Sequence, residues 1–545
     1  MLGSLVGIRK LWLWAIATLC LWFSIVGCQP ADTSVSSRAI GEPPGDLLRF
    51  IPQQSIVTAA LDVSPNSSRV WRRLLGEGDA GRLTDGLEAL LAQTAEVSTD
   101  QLRPWLGDRV AAAVTTDDYD LDPANGRQPG YVVAARVADS EALREFLEIF
   151  WQRQAVAGVS LSLSQDRGVP VIAGTPETSV WKGLATAIVD NSTLLVANDS
   201  RVLKQSLQTA QVPGLQLTRP AAASTFLWVS VRFPQLLDWL GIAVAPKLRI
   251  SQAPSLQQLI LDFFPHRRQL DIQSLAIPTS PLPLFEEAAS SSPQTVSSEQ
   301  LDRLEAYLEE VSAWTAAGHN LTRLANNLQQ ELSLYQNLPP VVRTPWLRTK
   351  PGQAAAGHSE LQSLLAQALC DRYVIGQLES GAWVGALAGK GTRAVADLDR
   401  YAAEQGITVS DISIEGRQVT AWSRLTTQMS DGKTLVETRL IGVHVSANGD
   451  ELFASSVTAL TSVLERLEQS PMSPTSARLP RSARDMNYWY AAWPRLEPLL
   501  SERRWFSLVE PVIDPWLRPV EQLLIGQKLG PVEQQKATIR LLFKG

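Results

Sequence analysis

Three sets of residues in this 545-residue chain have the side chains and spacing to do chemistry. The first is a crowd of acids, Asp117, Asp118, Asp120 and Asp122, with Asn125 beside them, in a loop that follows a strand. Oxygen ligands at alternate positions can hold calcium. Pro123 stands where such a loop needs glycine for its sharp turn, and the twelfth position counted from Asp118 is Pro129 rather than a bidentate Glu. Asp118, Asp120 and Asp122 are therefore metal candidates set against a plain solvated hairpin tip. The second set is the four histidines, His266, His319, His358 and His444. None lies within four residues of another, and no His-Glu-x-x-His occurs. His319 follows Gly318 in what reads as a turn, and His358 lies in a Gly/Ala-rich loop. The third set is Gly389-Lys390-Gly391-Thr392 before a helix. A phosphate loop needs Gly, four residues, then Gly-Lys-Ser/Thr, but position 384 is Val and Lys390 is followed by Gly. It reads as a strand–helix turn capped by Thr392. No Gly-x-Ser-x-Gly elbow occurs either. No catalytic residue is assigned, and no cofactor is implied.

The cysteines point to a different chemistry. Arg9-Lys10 precedes an apolar run from Leu11, which ends Ile25-Val26-Gly27-Cys28. A positive cluster, a short apolar segment and small residues before a cleavage point make a secretory signal. The last four residues resemble the bacterial lipobox. That resemblance implies a diacylglyceryl group on the Cys28 thiol and cleavage just before it, so that Cys28 becomes the acylated first residue. Two or more acyl chains anchor stably where one does not. The other reading is an uncleaved transmembrane helix with an incidental cysteine. Both place the body of the chain outside the cytoplasm and at a membrane.

Composition fits that address. Hydrophobic residues are 45% and charged residues 19%, as in an ordinary globular protein, and the net charge is −6. Losing residues 1–27 removes Arg9 and Lys10 and no acid, so the mature chain is more acidic by two charges. That speaks against nucleic acid as a partner. Cys20 leaves with the leader and Cys28 is the lipid site, so Cys370 is left without an intramolecular disulfide partner. Cys370 ends an apolar helix and reads as a small buried hydrophobe.

These residues need elements to position them. Residues 28–48, rich in Ser, Pro, Gly and Ala, read as a flexible tether. Phe50-Ile51-Pro52 introduces a strand over 55–63. Helices follow near Val70 to Leu75 and from Arg82 to Gln93, then Pro104-Trp105-Leu106-Gly107-Asp108 leads into a strand to Thr115. The Phe-Ile-Pro opening and the Pro-Trp-Leu-Gly-Asp segment resemble the DUF3352 family, uncharacterised and mainly cyanobacterial exported proteins. The resemblance covers most of the mature chain and implies no activity and no catalytic residues.

Further on, Tyr131 to Val137 reads as a strand, and Asp139 caps a helix that buries Leu143, Phe146, Leu147 and Phe150. Hairpins turn at Gln165-Asp166-Arg167-Gly168 and at Asp190-Asn191-Ser192, and a helix capped by Asp199 or Ser200 follows. Phe226 to Val231 is a strand, Pro234 opens a helix, Leu256 to Phe263 is a helix, and Gln269 to Ile277 is a strand. Pro278 to Ser298 is a linker. Leu301, Leu304, Leu308 and Val311, then Leu321 to Tyr335 after Gly318, make a helical hairpin.

The later chain repeats the earlier order at spacings of roughly 250–270 residues. Asp371 to Leu378 answers Asp108 to Thr115, and Ala382 to Ala388 answers Tyr131 to Val137. Hairpins at Glu415-Gly416 and Asn448-Gly449 answer the two earlier ones. Tyr488-Trp489-Tyr490-Ala491-Ala492-Trp493-Pro494 answers Leu227 to Pro234 with one residue fewer, and its aromatics read as strand packing. In Leu440 to Val445, His444 shares a face with Leu440 and Gly442.

The expected fold is α+β, two similar modules of antiparallel sheet covered by helices on one side, with a helical hairpin between them. Its parts are a signal peptide at 1–27, the tether at 28–48, module 1 at 49–278, a linker at 279–298, the helical hairpin at 299–338 and module 2 at 339–545. The expected role is a non-catalytic, lipid-anchored envelope protein, held to the membrane through Cys28, that binds or scaffolds an envelope protein or polymer. The alternative is an envelope hydrolase with a site between the modules.

Overall fold

The computed structural model describes residues 45–64, 97–122, 126–175, 183–217, 225–239, 256–279, 312–319, 372–387, 392–430, 433–469, 487–501, 519–528 and 535–543, with residues 69, 124, 305 and 308. The leader, Cys28, Cys370, His358, the Gly389–Gly391 turn, the helices expected at 70–75 and 82–93 and most of the linker lie outside them. They fall into two compact units that divide at Thr279.

The first unit contains ten described strands. They are β1 (Val57–Asp62), β2 (Leu106–Thr116), β3 (Gly130–Val137), β4 (Ser160–Asp166), β5 (Val169–Thr175), β6 (Leu184–Val189), β7 (Thr193–Ala197), β8 (Leu227–Arg232), β9 (Leu256–Pro265) and β10 (Gln269–Pro278). All the pairings are antiparallel, and they give the order β4-β5-β6-β7-β3-β2-β1-β8-β9-β10. Its longer described helices are α1 (Ser140–Val156), α2 (Ser200–Gln211) and α3 (Phe233–Trp239). Asp139 caps α1 by accepting from the Glu141 and Ala142 amides, and Asp199 caps α2 by accepting from the Arg201 amide.

The second unit repeats this arrangement. Its strands are β11 (Ser312–His319), β12 (Arg372–Leu378), β13 (Trp383–Leu387), β14 (Thr408–Ile414), β15 (Arg417–Ser430), β16 (Lys433–Ala447), β17 (Asp450–Ala454), β18 (Asn487–Ala492), β19 (Val520–Lys528) and β20 (Gln535–Phe543). Their order is β14-β15-β16-β17-β13-β12-β11-β18-β19-β20. The helices α4 (Thr392–Glu404), α5 (Val457–Gln469) and α6 (Trp493–Ser501) take the chain positions of α1, α2 and α3. Register makes the match residue by residue. Ala59 pairs with Ala112 and Val229, as Ala316 pairs with Ile375 and Trp489. The same registers match Trp228 with Tyr488, so the two segments before Pro234 and Pro494 are equally long and the expected missing residue is not missing.

The expected α+β class, with sheets covered by helices, is not what forms. Of the described residues 53% lie in strands and 25% in helices, and the molecule is mostly antiparallel sheet. The longest described helix has 17 residues. The helices sit as patches on both faces instead of a layer on one. In unit 1, Leu203 of α2 packs with Ala185, Ala187 and Leu195. Trp151 of α1 reaches Thr186, which points to the opposite face.

Two segments read as helical are strands. Leu256, Leu259, Ile260 and Phe263 fit a helical spacing, but the run is β9, held between β8 and β10. A short apolar run satisfies both periods, and its neighbours decide. Ser312–His319, placed in the helical hairpin, is β11 at the middle of its sheet between β12 and β18. Ala313, Ala316 and Ala317 are buried there on both faces, so the alternation that marks a strand is absent. Gly318 and His319 belong to this strand, not to a turn. Leu47 and Leu48, read as the end of the tether, are buried in the core of unit 1 with Phe50 and Ile51.

Candidate functional site

Two hairpins hold the end of each sheet where chemistry collects. Arg167 and Gly168 between β4 and β5 have φ of 53° and 82°, and Glu415 and Gly416 between β14 and β15 have 48° and 78°. Asp190 and Asn191 between β6 and β7 have 53° and 51°, and Asn448 and Gly449 between β16 and β17 have 52° and 82°. Two consecutive left-handed residues match the right-handed twist of the strands they join. These turns fix which side chains face each other across β4–β7 and β14–β17.

In unit 2 that register assembles a buried polar network. His444 on β16 is 4% exposed. Its Nδ1 lies 2.7 Å from Glu451 Oε1 on β17, and its Nε2 lies 3.1 Å from Asp399 Oδ1 on α4. Trp422 Nε1 on β15 donates to the same Asp399 oxygen at 2.8 Å, and Ser446 Oγ donates to Glu451 Oε2. Burial alone would push the imidazole's pKa down. The hydrogen bonds to Asp399 and Glu451 outweigh it and raise the value to about 9. Burial likewise acts to raise Asp399, but the His444 and Trp422 hydrogen bonds bring it below the ordinary carboxylate value. Both ring nitrogens face carboxylate oxygens, which favours the imidazolium form. That form has no lone pair to accept a proton, and the serine donates to a carboxylate rather than to the ring, so this is not a nucleophile triad.

The matching positions in unit 1 carry none of this charge. Thr186 stands where His444 does, Leu194 where Glu451 does, Ile188 where Ser446 does and Ile172 where Thr420 does, as the paired registers dictate. Gly174 stands where Trp422 does, and the indole comes from the helix instead. A Cβ on Gly174 would lie 2.7 Å from the Trp151 ring, whose Nε1 donates to Thr186 Oγ1 at 3.0 Å. The result is an apolar groove of about 450 Å³ under α1, lined by Leu147, Trp151 and Ala155 of the helix and by Leu161, Ile172 and Ile188 of the sheet.

The candidates named from sequence lie elsewhere. Asp118, Asp120 and Asp122 occupy the β2–β3 loop, and each uses a side-chain oxygen on a loop amide. Asp118 accepts from Gln128 at 3.3 Å, Asp120 from Asp122 at 3.3 Å and Asp122 from Ala124 at 2.9 Å. Asp117 pairs with Arg127 at 3.4 Å. Among the described residues no three carboxylate, imidazole or thiol groups gather into a set that could hold a metal ion. The late aromatic segment is packing. Trp489 stacks on Trp314 at 4.8 Å with ring planes 6° apart, and Trp383 meets Trp314 edge-on at 5.0 Å. Tyr490 packs into the core on the other face. His266 lies 3.5 Å from Asp271 at the β9–β10 hairpin.

Sequence reasoning missed the His444 network, although part of its signal was present. With Asn448-Gly449 as the turn, Ser446 must face Glu451, and His444 lies one diagonal step away. Asp399 arrives from a helix, and no local pattern announces it.

Against known families, the model of DUF3352, a family of proteins of unknown function, matches residues 15–540. The chain belongs to the DUF3352 family. No curated protein matches this DUF3352 chain. Among solved structures it is similar to crystal form III of TP0453, with 11% identity over 46% of this chain and 84% of that chain and a TM-score of 0.24. Crystal forms I and IV give 10% identity over 43% of this chain and 78% and 80% of that chain, each with a TM-score of 0.23. Among the described residues no helix is long and apolar enough to cross a membrane.

Proposed function

We propose that this DUF3352 protein is a lipid-anchored envelope protein that binds its partner and does not transform it. The observation that carries this reading is the geometry around His444, whose two ring nitrogens both face carboxylate oxygens. The ring is clamped by Asp399 and Glu451 at 3.1 and 2.7 Å, which favours a fixed cation over a base. The groove under α1 supports it from the other side, because an open apolar cleft is a place for contact. The anchor rests on Ile25-Val26-Gly27-Cys28 at the end of an apolar leader.

Metabolic labelling with palmitate tests the anchor. Label is expected on the wild-type chain, and Cys28→Ser is expected to lose it and to leave the membrane fraction. An unlabelled wild-type chain, or a Cys28→Ser chain retained at the membrane as before, overturns the proposal.

A further inference from the structure

The outer edge of the first sheet differs in kind from its counterpart in the second. Among the described residues β4 pairs with β5 and with no other strand. It is exposed from Ser160 to Gln165, and those six residues carry no charge. Leu163 is 77% exposed and Leu161 43% exposed, both on the face that carries the groove. Val156, at the end of α1 just before this strand, is 91% exposed. The matching edge in unit 2 is guarded. Asp411 stands where Leu163 does, and Thr420 Oγ1 donates to it at 3.1 Å. A charge placed on an edge strand is a common defence against pairing with another chain, and an uncharged, partly apolar edge invites it.

The sequence of this edge also says what fits it. Ser160-Leu161-Ser162-Leu163-Ser164 reads the same in both directions. Antiparallel pairing of the segment with itself, about an axis through Ser162 and perpendicular to the sheet, sets Leu161 against the partner's Leu163 and each serine against a serine. Such a two-fold contact keeps the leucines of both copies on one face. That face is the groove face, so the two grooves join across the new pair of strands. We propose that a second copy of this chain pairs along β4, joining the two first-unit sheets edge to edge through Ser160–Ser164 and closing the apolar groove under α1. The inference uses the groove as a contact surface and does not depend on the lipid anchor.

Cysteine crosslinking of the full chain in a nonionic detergent tests the register. Residues directly opposite on antiparallel strands lie close enough for a disulfide. Under mild oxidation Ser162→Cys is expected to give a disulfide-linked dimer several-fold above the parent chain and above Ser410→Cys, its counterpart on β14. Whichever of native Cys20, Cys28 and Cys370 carry free thiols are the same in every chain compared, so crosslinking is read as the excess over the parent chain. Ser160→Cys and Ser164→Cys chains are expected to crosslink when co-expressed and not when each is alone. Leu163→Asp, which copies Asp411, is expected to weaken association at least tenfold by sedimentation while its circular dichroism melt stays unchanged. Three results overturn the proposal. They are crosslinking at Ser162→Cys no greater than at Ser410→Cys, a Ser160→Cys chain that crosslinks with itself, and a Leu163→Asp chain of undiminished mass. A single chain carrying a foreign polypeptide on this edge also overturns it.

Discussion

His444 sits between two carboxylates, and its charge is part of the fold. Its pKa rises from an ordinary 6.5 to about 9. A group raised in this way gives its full stabilisation below the unfolded value and loses it as pH climbs through the folded one. The second unit should therefore weaken from about pH 6.5 to beyond pH 9, by up to about 3 kcal/mol. Asp399, shifted downward, acts with the opposite sign, and its share is lost as pH falls through the folded value. Urea midpoints at pH 6, 8 and 10 check the alkaline limb. In His444→Gln the two acids lose their cation, and stability at neutral pH should fall by roughly 3–5 kcal/mol. That variant should also show a flat response across the alkaline window. If the wild type is flat too, the imidazolium is not carrying the network.

At the scale of elements, the buried indole comes from a different element in each unit. Trp151 descends from α1 onto Gly174, while Trp422 rises from β15 toward α4. Gly174→Ala should push its methyl into the indole and cost roughly 1–3 kcal/mol, read by denaturant titration. All four hairpins and the capped α1 and α2 were legible in the sequence, because a turn is written in two or three adjacent residues. The repeat of element order was legible for the same reason. The class was not. Central strands buried on both faces lose their alternation, and β11 hid as a helix. A clue did exist, for Thr315-Ala316-Ala317 repeats Thr58-Ala59-Ala60 in register at the middle of each sheet. Of the site, the β16–β17 half follows from the Asn448-Gly449 turn, while Asp399 comes from packing that no local pattern encodes.

Across the whole molecule, one topology carries two chemistries. The positions that hold Thr186, Ile188 and Leu194 in the first unit hold His444, Ser446 and Glu451 in the second. Alkali should therefore act on one unit alone. Hydrogen exchange at pH 9.5 is expected to show faster opening of β16 and β17 than at pH 7, beyond the intrinsic rate change. Amides of β6 and β7 should follow the intrinsic change only. Equal loosening in both would mean that the pH response has another source.

The strand order has a consequence for assembly. β1 lies at the middle of its sheet, bonded to β2 on one side and to β8, much later in the chain, on the other. β11 waits in the same way for β18. Polypeptides are made from the N-terminus, so each of these apolar strands emerges long before its second neighbour exists. Until then one of its flanks is an open template for a wrong partner, and contacts so distant along the chain are slow to form. A newborn molecule of this design therefore needs shielding twice, once for each half.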